Sequence, residues 1–173
     1  DAQCPSVCSS PPSCIQNGNL NAPSSWGNIN WSASTTVNNW SVSHGTPSLV
    51  SNNEIFMWGG WTTGEGIFTC FNFNPNKTYK ICIRAKHAGF TNNGDLIIKA
   101  TYDGLVQPTL PVPNFGTPVP STCNGIDEII GTSNIINSNY QVYTFTYTPS
   151  RVYNQLWLYP QERVPVGGGI SSQ

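Results

Sequence analysis

The stretch Gln141-Val-Tyr-Thr-Phe-Thr-Tyr147 alternates without a break. Val142, Thr144 and Thr146 face one way; Tyr143, Phe145 and Tyr147 face the other. A period of two fits a strand with one buried face. No window of helical length carries an apolar stripe at i, i+3, i+4 and i+7. Short apolar runs punctuated by Asn, Gly and Pro predict strands at 40–43, 54–57, 66–73, 78–88, 95–102, 141–147 and 154–159. Weaker ones lie near 18–21 and 134–137, and Asp127-Glu128-Ile129-Ile130 reads as a single helical turn at most. Many short strands separated by turn residues predict an all-β fold, an antiparallel sandwich or barrel.

Residues 1–13 form an irregular arm, because Cys4-Pro5 and Pro11-Pro12 forbid regular pairing. Residues 14–173 read as one β-sandwich domain, large enough for a proper core. Within it, 104–125 carries Pro108, Pro111, Pro113, Pro118 and Pro120 and reads as a long surface loop. Charged residues are 9% of the chain and the net charge is −1, so a nucleic-acid partner is not expected. No apolar run is long enough for a transmembrane helix. The chain opens on Asp1 with no basic-then-apolar leader and reads as a mature exported product, secreted or held at the cell surface.

Six cysteines, Cys4, Cys8, Cys14, Cys70, Cys82 and Cys123, agree with export and suggest disulfides. Folding 68–84 as a hairpin about Asn76 sets Cys70 opposite Cys82, within bridging reach. Phe71, Phe73, Tyr79, Ile81 and Ile83 then share the core face, and Lys80 and Arg84 lie on the outer face with the bridge. The other four cysteines allow three pairings, among which the sequence does not choose.

Candidate ligand contacts gather in the Gly-rich stretches. Trp58 and Trp61 flank Gly59-Gly60, which can present indole faces to the C–H faces of a sugar, Trp61 being the more exposed of the two. Trp26 and Trp31 are either a second aromatic platform or a cap on one end of the sandwich. His44, beside Gly45, could meet a ligand hydroxyl or simply be an exposed or turn-stabilising histidine, and Glu65 could accept sugar hydroxyls. Trp40 and Trp157 sit inside strands and are expected in the core.

Four segments resemble the galactose-binding-like jelly roll of non-catalytic carbohydrate-binding modules, in the variant found in large secreted proteins of Bacteroidetes-type bacteria. They are Asn17-Gly-Asn-Leu-Asn21; Trp40 followed by Gly45-Thr46-Pro47; Gly64-Glu65-Gly66-Ile67 leading into an Asn-Lys-Thr-Tyr turn; and 143–149 followed by 154–160. The match spans about 17–160. The resemblance implies a structural role for Glu65, bonding backbone groups of the neighbouring loop. It also implies a structural calcium, yet Asn19 and Asn21 stand where the family often has acids and no acid follows Glu162, which leaves Asn19 as a candidate ligand.

No paired carboxylates in a recognisable motif, no nucleophile elbow and no phosphate loop point to an enzyme. The expected function is extracellular recognition of a neutral glycan by exposed Trp and amide side chains. The alternative is a structural or adhesive subunit of an extracellular filament or sheath, assembled from copies of itself by strand addition and disulfides.

Overall fold

In the computed structural model, the structure describes residues 8, 12–20, 29–30, 37–51, 53–88, 94–102, 117–122, 125–163 and 170–172. Their strands are β1 (Ile29–Asn30), β2 (Trp40–His44), β3 (Ser48–Ser51), β4 (Glu54–Gly59), β5 (Thr63–Gly64), β6 (Gly66–Phe73), β7 (Tyr79–Ala85), β8 (Gly94–Thr101), β9 (Thr117–Pro118), β10 (Asp127–Asn134), β11 (Gln141–Tyr147), β12 (Tyr153–Glu162) and β13 (Ile170–Ser172). Every pairing is antiparallel. One layer is a five-stranded sheet in the order β10-β8-β12-β6-β2. Facing it are the β11-β7 pair and a second assembly, β1-β3-β4-β5-β9, with β13 on β4. This is an all-β, antiparallel sandwich.

The expected alternation sets its core. Ile67, Phe71, Phe73, Ile98, Leu156 and Leu158 of the five-stranded sheet pack with Ile55 and Met57 of β4 and the inward residues of β7 and β11. Ile129 and Gly131 of β10 flank a bulge. The Phe145 ring fills the space where a Cβ on Gly131 would stand, so the glycine lets the two strands close up.

The turn after β6 corrects the Cys70–Cys82 pairing. Residues 74–78 do not close a hairpin: β6 pairs with β12 and β2, whereas β7 pairs with β11. The chain crosses from one layer to the other, and Asn74 tightens the crossing by accepting the N–H groups of Asn76 (2.8 Å, side chain) and Lys77 (3.0 Å, backbone). Phe71 and Phe73 then meet Tyr79 edge to face across the core, at 5.5 and 5.3 Å. Cys70 and Cys82 consequently lie on opposite outer surfaces of the sandwich. Cys70 bonds Cys8 (Cα–Cα 5.5 Å), and Cys14 and Cys82 are free and exposed. Closing a loop across 62 positions restricts the unfolded chain by about 4 kcal/mol in the chain-entropy account. Cys4 and Cys123 lie outside the described residues.

The Cys8–Cys70 bridge fastens the arm to the outer face of the five-stranded sheet. Asn72 N–H donates to Pro12 O at 2.9 Å, and Asn154 Nδ2 to Cys8 O at 3.4 Å. Farther along the same face, Phe68, Trp157 and Tyr159 form a second cluster with Ile97 and Val119. The sheet is therefore covered on both faces, and β12 is buried at every position from Tyr153 to Pro160.

Three other expectations are corrected. Residues 127–130 open strand β10, because Ile129 and Ile130 alternate outward and inward against β8. The weak strand near 18–21 is a turn where described: Asn17 and Leu20 have φ of 51° and 55°, outside strand geometry. The weak strand near 134–137 is only the end of β10. Conversely, β13 pairs with β4 and supplies a last strand.

Candidate ligand-binding surfaces

The loop joining β4 to β5 brings several expected contacts to one corner. Gly60 N–H donates to Thr63 O (2.8 Å), and Glu162 N–H donates to Gly60 O (3.1 Å). Glu65 is 2% exposed. Its Oε2 accepts the Trp58 N–H at 2.7 Å, its Oε1 accepts the Thr46 hydroxyl at 3.4 Å, and its own N–H donates to Trp58 O at 2.9 Å. Burial pushes this carboxyl up to about 7, against the downward pull of hydrogen bonds from Trp58 and Thr46. Gly45 permits the arrangement: its φ is 66°, and a Cβ there would stand 2.5 Å from Gly64 O and 2.6 Å from Glu65 Cγ. Glu65 is thus a buried tie between loops.

His44 is also buried, at 3% exposure, so it is not an exposed histidine at a ligand's hydroxyl. The bulge between Val42 and His44 turns its ring onto the outer cluster, with centroids 6.2 Å from Trp157 and 5.8 Å from Tyr159. Trp157 Nε1 donates to Ser43 Oγ at 2.9 Å, and Ser43 Oγ in turn shares a hydrogen bond of 2.8 Å with His44 Nδ1. The other ring nitrogen, Nε2, is buried without a hydrogen-bond partner among the described residues. Burial pushes the imidazole down to about 3 and keeps it neutral. The Ser–His contact is sealed, since Ser43 is 1% exposed.

Trp61 projects from this corner with 44% of its surface exposed. Its carbonyl accepts Gln161 Nε2 at 3.0 Å, so an amide lies beside it. Trp58 is half-buried and its ring lies over Gly60, where a Cβ would stand 3.0 Å from Cη2. Beyond Gln161, Arg163 grips Asp95 through Nε and Nη2 at 3.0 and 2.7 Å. Trp26 and Trp31 lie outside the described residues. Asn19 lies in the turn before Leu20, and no three His, Cys, Asp or Glu side chains gather to hold a metal among the described residues.

A second concavity went unread in the sequence. A groove of about 550 Å³ opens between the layers, with Ile67, Phe71, Leu156 and Leu158 among its floor residues. Residues 79–84 of β7 form one wall, and the turn through Gly18, Asn19 and Leu20 stands among the other lining residues. A narrower space of about 100 Å³ is lined by both β4 and β7. Tyr140 borders both spaces. Arg84 stacks on its ring at 4.1 Å, and Lys86, 4.6 Å from the same ring, pairs with Glu54 at 3.1 Å. The signal available in the sequence was the set Lys80, Cys82 and Arg84 on one parity of β7, opposite Tyr79, Ile81 and Ile83. It reads as an ordinary solvent face unless the far edge of β7 is known to be open. Comparison of the chain with protein-family models, with curated proteins and with solved structures finds no match.

Proposed function

We propose that the chain is a non-catalytic carbohydrate-binding, lectin-like domain that works outside the cell, with Trp61 as its stacking platform. The observation that carries this reading is a large exposed indole on a backbone held from beneath by a buried carboxylate. Glu65 fixes Trp58, Thr63 and Glu162 fix Gly60, and Gln161 fixes the Trp61 carbonyl. A platform fixed before binding loses little entropy when a sugar stacks on it. The Gln161 amide is at hand for ring hydroxyls. The Cys8–Cys70 disulfide fits an oxidising compartment. Filament assembly by donation of the N-terminal arm has less support, because Cys8 and Pro12 are bonded to their own domain.

Trp61→Ala is expected to weaken retention on a neutral polysaccharide by at least about tenfold, as loss of an aromatic anchor does. Affinity electrophoresis against a panel of neutral glycans measures it, and the urea midpoint should stay where it was. Unchanged retention removes Trp61 from the site; absence of retention on every glycan tested removes the reading.

A further inference from the structure

The groove along β7 is separate from Trp61. We propose that it receives an extended peptide of another protein, added as a strand to β7, whose apolar side chains alternate with acidic ones.

Among the described residues β7 pairs only with β11. Residues 79–84 of β7 all line the groove, whereas no residue of β11 does, so the groove runs along the edge turned away from β11. On that edge every second residue points its N–H and C=O into the groove. An acyl chain lying there would cover those groups without bonding them, at a cost of about 1–3 kcal/mol for each. A peptide strand bonds them, which favours a peptide over a lipid.

The sides of the groove choose the sequence. A strand beside β7 sends one parity of side chains down to the floor at Ile67, Phe71 and Leu158, which is apolar. The other parity emerges beside Lys80 and Arg84, which alternate on the exposed face of β7. The ion pairs among the described residues are Lys86–Glu54, Lys99–Asp127 and Arg163–Asp95, so neither Lys80 nor Arg84 has a carboxylate. The stacking of Arg84 on Tyr140 holds its guanidinium in place. Carboxylates at alternate positions of the incoming strand complement both cations. A second copy of the chain is a poor donor: nowhere in its sequence do two acids stand two residues apart.

The test uses the whole chain and fluorescein-labelled peptides of about ten residues, long enough to span β7. A peptide alternating valine with glutamate is expected to bind saturably in fluorescence polarisation and to slow alkylation of Cys82, which lines the groove. Lys80→Glu and Arg84→Glu should each weaken it at least about tenfold, and a valine–lysine peptide should bind at least that much more weakly. Methylating alternate backbone nitrogens should abolish binding in one of the two registers and spare the other. No saturation up to about 1 mM overturns the proposal. So does equal binding of the valine–lysine peptide, or of both methylated forms. Displacement of the peptide by a long-chain fatty acid at lower concentration would make the groove a lipid site. A dimer by light scattering that excludes the peptide would give the edge to a second copy.

Discussion

Replacing Trp157 by alanine lowers the free energy of unfolding by about 3–5 kcal/mol, the range for truncating a large buried aromatic. The loss is this large although Trp157 lies on the outer face of the five-stranded sheet. In a simple two-layer sandwich that face would be wet and the same change would cost little. Here Trp157 is 1% exposed and packs with Phe68 and with Tyr159, whose ring centroid is 4.5 Å away. Its indole N–H is the donor that satisfies Ser43, so truncation also breaks the Trp157–Ser43–His44 chain of hydrogen bonds in a buried place. Urea unfolding followed by circular dichroism measures the effect. A cost below about 1 kcal/mol would mean that the outer cluster is solvated and that β12 has one core face only.

A stability profile against pH reads His44 and Glu65 with opposite signs. The folded His44 titrates near 3, below its ordinary 6.5, so its contribution is present above 6.5 and is lost as pH falls toward 3. The folded Glu65 titrates near 7, above its ordinary 4.5, so its contribution is full below 4.5 and is lost as pH rises through 7. Between 4.5 and 6.5 unfolding takes up a proton at His44 and releases one at Glu65, and the two slopes cancel. In Glu65→Gln only the His44 slope remains, about 1.4 kcal/mol per pH unit, and stability falls with acid across that window. Relative to wild type, the variant should gain about 3 kcal/mol between pH 4 and pH 8, whatever its offset at pH 4. Urea midpoints of both proteins across this range check the prediction. A constant difference between the two curves would place Glu65 in water and remove the buried tie beneath Trp61.

The strands were legible because β11 alternates cleanly and the others are short apolar runs bounded by Asn, Gly and Pro, and the core face of Phe71, Phe73, Tyr79 and Ile83 follows from the parity of 71–83. Alternation cannot tell a hairpin from a crossing between layers. The run 66–85 presents the same inward residues either way, and only the partners of β6 and β7 decide that Cys70 bonds Cys8. His44 could not be placed from its neighbours, since a bulge in β2 and a cover over the outer face together bury it. Glu65 was more readable: an acid between two glycines before a strand fits the loop tie that the resemblance implied, and the hydrogen bonds to Trp58 and Thr46 make that tie. The groove stayed hidden because its lining comes from β6, β7, β12 and the turn before Leu20, which are far apart in sequence.

All of these placements depend on the chain changing layers at 74–78. Peptide mapping of the native protein, alkylated before any reduction, tests that step most directly. The account predicts a linked pair of peptides containing Cys8 and Cys70, and a Cys82 that has taken up the alkylating reagent. A linked pair containing Cys70 and Cys82 would contradict it, returning 66–85 to a hairpin and closing the edge of β7.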